Sequence, residues 1–189
     1  MIRIETERLY VRQMTDEDFG LMSLIWTSWF PTLFLKNEAA LNSFLQGCWE
    51  DAQSPTILTG LIFLKERDVF CGRVNMQHTD WEVPEIGVDI LHDYCNQGYG
   101  PEAITGFVNW YGETYHVPIV KARIMAMNAH SRHVFEKLGA AYSSEKSMLS
   151  DQMQSLRAKQ LEDKSSAIAD IRVQEYILRV PIGQDKENP

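Results

Sequence analysis

No stretch of this chain is apolar for long enough to span a bilayer, and the opening MIRIETERLYVRQM carries a charge every few residues, unlike a secretion signal. Cysteine is scarce as well. Cys48, Cys71 and Cys95 are odd in number, far apart and without a C-x-x-C pair, so neither a disulfide framework nor a zinc knot organises the fold. Positive charge is short: 18 Lys and Arg stand against 26 Asp and Glu, for a formal net charge of -8. Such a surface repels the phosphate backbone of nucleic acid and mildly favours a cationic partner. His130 and His133 lie one helical turn apart with no third ligand nearby in sequence, so no metal site is expected. These absences predict a soluble protein of a reducing, cytoplasmic setting that binds neither nucleic acid nor membrane.

What is present fits one globular domain. The chain has 189 residues, 44% hydrophobic and 23% charged, enough to bury a sizeable core. The domain is expected over residues 1–182, with a disordered tail at 183–189. Alternation at Ile4, Leu9 and Val11 predicts a strand. Thr15 then caps a helix whose first turn holds Asp16, Glu17 and Asp18 and whose stripe is Phe19, Met22, Ile25 and Trp26. A second helix follows Asn37, with Ala40, Leu41, Phe44, Leu45 and Cys48 on one face. TILTGLIFLK and DVFCGRVNMQ, split by Glu66, Arg67 and Asp68, read as a hairpin, and PEIGVDIL as a short strand. A helix is expected from Pro101 to about His116, with Pro101 as its first residue. PIVKARIMAM is a strand, and NAHSRHVFEKLGA is a short helix ended by Gly139 in the left-handed conformation. AAYSSEKSML suits a strand, residues 150–166 are polar and helix-prone, and IRVQEYILRV is a last alternating strand. The fold class is α/β (α+β): a single mixed, mostly antiparallel sheet flanked by helices.

The stretch NQGYGPEA raises the functional question. Two glycines one residue apart, followed by a helix, bring backbone amides against a phosphate at a helix N-terminus. Gly98, Gly100 and Ala103 also fit the dinucleotide fingerprint G-x-G-x-x-G/A. That reading fails on context. Six residues separate Leu91 from Gly98, and Asn128 stands at the end of the next strand, where an acid is wanted for the ribose. A plain turn remains open.

Taken together, IETERLYVRQMTDEDF, EIGVDIL, NQGYGPEA and NAHSRHVFEKLGA resemble the GCN5-related N-acetyltransferase family, and within it the branch of ribosomal-protein N-terminal acetyltransferases and their small-molecule relatives. The likeness spans nearly the whole chain except about 143–170, a segment expected to be an insert. It implies acetyl-CoA as cosubstrate, its pyrophosphate held by the backbone of Cys95, Asn96, Gln97, Gly98, Tyr99 and Gly100. Ile90 and His92 would lie against the thioester arm, Asn128 would bond the pantetheine, and Ser131 would bond the coenzyme or protonate the leaving thiolate. Glu85 matches the branch's acid and is the candidate general base. Asp89, on the same strand face, is the competing carboxylate, suited to bind a cationic acceptor or to act as a second base. Trp26 and Trp29, with Phe30 and Phe34, fall where the family's first helices line the acceptor site; core packing is the other reading.

The sequence also departs from the family. Cys95 replaces an Arg, Gln or aromatic residue, Pro101 removes an N–H where Thr or Ser is usual, and Phe135 replaces the tyrosine acid of many members. The implied reaction is direct attack of a primary amine, on a protein N-terminus or a small molecule, on the thioester through a tetrahedral intermediate. A non-catalytic acyl-CoA sensor or scaffold of the same fold is the competing reading, and a homodimer remains open.

Overall fold

The computed structural model describes residues 1–29, 37–162 and 170–181. The expected tail, and Phe30 and Phe34, lie outside the described residues. The backbone divides into two compact units, Met1–Val120 with Arg179–Pro189, and Lys121–Leu178.

In the first unit, β1 (Arg3–Glu5) and β2 (Leu9–Gln13) precede a 3-10 turn at Asp16–Asp18 and then α1 (Phe19–Trp29) and α2 (Glu38–Ala52). The chain continues through β3 (Leu58–Leu64), β4 (Val69–Gln77) and β5 (Glu85–Ile90) to α3 (Tyr99–Tyr115). These five strands pair antiparallel in chain order, β1-β2-β3-β4-β5. Asn37 caps α2 as expected, its Oδ1 accepting from the Ala40 N–H at 2.9 Å.

Period-two alternation sorts the strand side chains between two helical layers. On one face Leu61, Phe63 and Phe70 join Met22, Ile25 and Trp26 of α1 and Leu45 and Trp49 of α2 in one apolar cluster. On the other, Ile62, Val74, Met76 and Ile86 are buried, and so are Ala103, Ile104, Phe107 and Val108 of α3. Each fully buried Ile or Phe contributes roughly 1.5–3 kcal/mol of transfer free energy, so this layer fixes α3, and with it the loop that precedes α3.

The first helix is anchored at its start by charge. Asp18 is 5% exposed, and its carboxylate accepts from both Arg12 guanidinium nitrogens (2.8 and 2.6 Å) and from the Thr15 N–H and hydroxyl (2.7 and 2.9 Å). The Arg12 bonds, helped by those of Thr15 and opposed by burial, hold its pKa at about 2.

The second unit holds most of β6 (Ile119–Met125), then α4 (Ala129–Lys137), β7 (Ala141–Ser147), α5 (Asp151–Glu162) and most of β8 (Arg172–Arg179). Its strand order is β6-β8-β7, with β7 and β8 antiparallel. Gly139, at φ +84°, ends α4 as expected. Residues 143–147 of the expected insert belong to β7, and 151–162 form α5. No helix among the described residues is long and apolar enough to cross a membrane.

Because the folded pKa of Asp18 is depressed, the stability it adds is present above the ordinary carboxylate range near pH 4 and is lost as pH falls towards 2. Replacing Asp18→Asn is expected to cost on the order of 2 kcal/mol at pH 7 and much less at pH 2. Urea denaturation at the two pH values checks this; an equal cost at both would assign the loss to shape rather than charge.

Candidate coenzyme and acceptor site

The loop after β5 is built by its backbone. His92–Tyr94 form a 3-10 turn in which the Tyr94 N–H donates to the Leu91 carbonyl at 2.8 Å and the Cys95 N–H to the His92 carbonyl at 3.2 Å. Asn96 and Gly98 then take positive φ angles of 61° and 82°, and α3 begins at Tyr99. Left-handed residues in so short a loop turn successive N–H groups towards one concavity, the form of an anion-binding nest. Among the described residues, the backbone N–H groups of Asn96 and Gly98 donate to no protein acceptor. Those of Tyr99 and Gly100 lie in the first helical turn, where no acceptor exists four residues back.

Two expectations change. The helix starts at Tyr99 rather than Pro101, because Gly98 supplies the left-handed cap; Pro101 is then the third helical residue and still removes only a first-turn donor. Cys95 does not offer its amide to the loop, because the 3-10 turn uses it. The Cys95 thiol instead points back to the carbonyls of Ile90 and Leu91, 3.5 and 3.6 Å away, and burial pushes its pKa up.

The two glycines have different reasons. At Gly98 the backbone angle itself excludes most side chains. Gly100 has an ordinary angle, and a Cβ there would meet only Ile90 Cγ1, at 3.7 Å. The fold does not require Gly100 to lack a side chain; a ligand lying against the loop would.

At the end of β5, the Leu91 N–H donates to the Cys71 carbonyl at 2.9 Å. By strand alternation the N–H and C=O of Ile90 face the other way. The Ile90 carbonyl accepts from the Trp29 indole at 3.1 Å, and His92 Nε2–H donates to the Ser28 carbonyl at 2.8 Å. The His92 and Trp29 rings pack at 4.4 Å. So the C-terminus of α1 is tied to the end of β5. Trp29 is 45% exposed, whereas Trp26 is buried against Trp49 in the apolar cluster.

A polar row runs over the face of β4 and β5 that carries Glu85 and Asp89. Register pairs Gln77 with Glu85, Asn75 with Gly87 and Arg73 with Asp89. Glu85 is 8% exposed, so it is a buried carboxylate rather than one at a solvated strand end. Asn75, opposite Gly87 on the same face, is also buried, and a Cβ at Gly87 would meet Asn75 Oδ1 at 2.6 Å. Thr59, opposite Asn75 on β3, is buried too, and among the described residues its Oγ1 has no hydrogen-bond partner. The Asp89 carboxylate is committed to Arg73 Nε at 2.7 Å. Sequence reading overlooked Arg73, Asn75 and Thr59. The signal was there in β4, where Arg73, Asn75 and Gln77 alternate with Val74 and Met76.

In the second unit, Asn128 caps α4, its Oδ1 accepting from the Ser131 N–H at 3.0 Å, and Phe135 is buried. Among the described residues no group of three His, Cys, Asp or Glu is arranged to hold a metal. Among the described residues, two clefts of the first unit bear on where the site lies. The larger, about 760 Å³, lies along β1 and β2 and touches none of the expected site residues. The smaller, about 600 Å³, lies beside the loop and is lined by Arg8, Arg67, Tyr94, Gln97 and Tyr99 among others.

Solved structures share this fold. A GNAT-family acetyltransferase from Bacillus anthracis is 17% identical, with a TM-score of 0.67 over 94% of this chain and 98% of its own. RimL, a ribosomal L7/L12 alpha-N-protein acetyltransferase solved with coenzyme A, is 12% identical, with a TM-score of 0.68 over 96% and 100%. A mutant of the spermidine N-acetyltransferase SpeG from Vibrio cholerae is 8% identical, with a TM-score of 0.67 over 93% and 96%. No curated protein matches the sequence. The model of the acetyltransferase (GNAT) domain matches residues 8–141, well over half the chain, and the protein belongs to that family.

Proposed function

We propose that the protein is an acetyl-CoA-dependent N-acetyltransferase acting on a primary amine. The observation that supports this is the loop 96–100: left-handed backbone at Asn96 and Gly98, their N–H groups without protein acceptors, and a Gly100 whose missing side chain leaves open room beside the loop. A diphosphate suits such a nest, because converging N–H groups and the α3 dipole neutralise it without lysines. The coenzyme thioester supplies an acetyl carbon open to attack and a thiol whose ordinary pKa near ~8.5 makes it a fair leaving group.

Glu85 is the proton acceptor in this reading. It matches the family branch's acid at the start of this strand and is buried on the polar row opposite Gln77; Asp89, paired with Arg73, is the alternative base. Trp29 borders the same end of β5 and suits an acceptor wall; Trp26 is occupied in the core. RimL and SpeG act on a protein alpha-amine and on spermidine, both amine acceptors. The Arg73–Asp89 pair offers matched rather than bare negative charge, which argues for an acceptor of low positive charge over a polyamine. The setting is proposed to be cytoplasmic.

Two variants test this. Glu85→Gln is expected to lower kcat about a hundredfold with the KM for acetyl-CoA unchanged, read by free-thiol release with a panel of amines; an unchanged kcat removes Glu85 from the chemistry. Gly100→Ala is expected to leave folding stability unchanged or raised by up to ~1 kcal/mol, while coenzyme affinity falls at least about tenfold. Affinity that survives the added methyl would place the pyrophosphate elsewhere. Coenzyme binding without thiol release on any amine would favour the sensor reading.

A further inference from the structure

The loop is held from outside by Arg8, 89 positions before Gln97 in the chain. Arg8 Nη1 donates to the Gln97 carbonyl at 2.9 Å, and its Nε and Nη2 both reach Glu102 Oε2 at 2.7 Å. Glu102 Oε1 accepts from the Arg8 N–H at 2.8 Å and from the Thr6 hydroxyl at 2.5 Å. The guanidinium also lies over the Tyr99 ring, 4.7 Å from its centroid. One side chain therefore grips the loop, the first helical residue and the first-turn acid together.

We propose that Arg8 is a positioning residue for the phosphate-binding loop, acting with Glu102 as its anchor. The inference rests on the coenzyme reading above and deepens it. A trans peptide is planar, so the Gln97 C=O and the Gly98 N–H point in opposite directions. By holding that carbonyl, Arg8 fixes the plane and aims the Gly98 N–H away from itself.

The grip on Glu102 serves a second purpose. An acid in the first turn of α3 suits the helix dipole but repels a diphosphate at the same terminus. Burial pushes the Glu102 carboxyl up, yet the bonds from Thr6 and from the amide and guanidinium of Arg8 outweigh it and bring its pKa below the ordinary range. Glu102 is thus anionic at neutral pH and matched by Arg8, so its field at the loop is largely cancelled. The fork of the guanidinium serves the Gln97 carbonyl and the Glu102 carboxylate at once, which a lysine ammonium on one axis does less well.

The test separates loop geometry from general stability. Arg8→Lys keeps the charge and loses the fork, and Arg8→Ala loses both. For each, kcat/KM is measured with acetyl-CoA and with S-acetylpantetheine, which lacks the pyrophosphate, and order parameters of the Gly98 and Gly100 amides are measured by NMR without ligand. The ratio of the two kcat/KM values is expected to fall about tenfold in Arg8→Lys, as for one charge-assisted hydrogen bond lost. The order parameters are expected to drop from about 0.85 towards 0.6. An equal loss with both thioesters, or none with either, overturns the proposal.

If the wild-type protein binds neither coenzyme A nor acetyl-CoA, the transferase reading fails by itself, and the loop dynamics then decide on Arg8. Amide order at Gly98 unchanged in Arg8→Lys overturns the clamp, and lowered order upholds it. Should Arg8→Ala fail to fold, Arg8→Lys and Glu102→Gln carry the comparison.

Discussion

The left-handed backbone at Asn96 and Gly98 is the constraint on which the site depends. It lets the chain leave β5, pass a 3-10 turn and enter α3 with its first N–H groups gathered on one side. Such angles cost free energy in a non-glycine residue, and the surroundings must hold them. Below the loop, α3 is fixed by Ile104, Phe107 and Val108; outside it, Arg8 holds Gln97 and Glu102. The apolar layer sets where the helix begins, and the ion pair sets how the loop meets it.

In the proposed reaction the strand before the loop supplies the chemistry. β5 has an apolar face buried towards α3 and a polar face turned towards α1 and α2, so one strand would position both the proposed coenzyme loop and the two candidate carboxylates. Glu85 and Asp89 share that face but differ in burial: the first is 8% exposed opposite Gln77, the second is only partly buried and paired with Arg73. Two carboxylates in unlike environments are the usual basis for assigning different roles on one scaffold. Trp29 and His92 tie the end of α1 to the end of this strand, so movement of the helix would be felt at Ile90.

Local chemistry was legible in the sequence, and tertiary pairing was not. Asn37 and Thr15 announced helix starts, Gly139 announced a helix end, and the G-x-G pattern announced the loop, because capping and φ preferences act over a few residues. That the Cys95 amide is taken up by the 3-10 turn at His92–Tyr94 was not legible, because the turn depends on backbone angles that no residue type there dictates. Trp26 and Trp29 lie three apart on one helix, and only packing distinguishes the buried ring from the exposed one. The pairings of Arg8 with Glu102 and of Arg73 with Asp89 join different elements, so no local pattern reveals them. The polar alternation of Arg73, Asn75 and Gln77 was visible, but which helices cover that face is decided by the fold.

The most direct test is calorimetric titration of the wild-type protein with acetyl-CoA, with NADH as control. The account predicts saturable binding of acetyl-CoA at one site per chain and no response to NADH. Binding of NADH alone, or of neither, would contradict it and leave NQGYGPEA as a turn at the start of a helix.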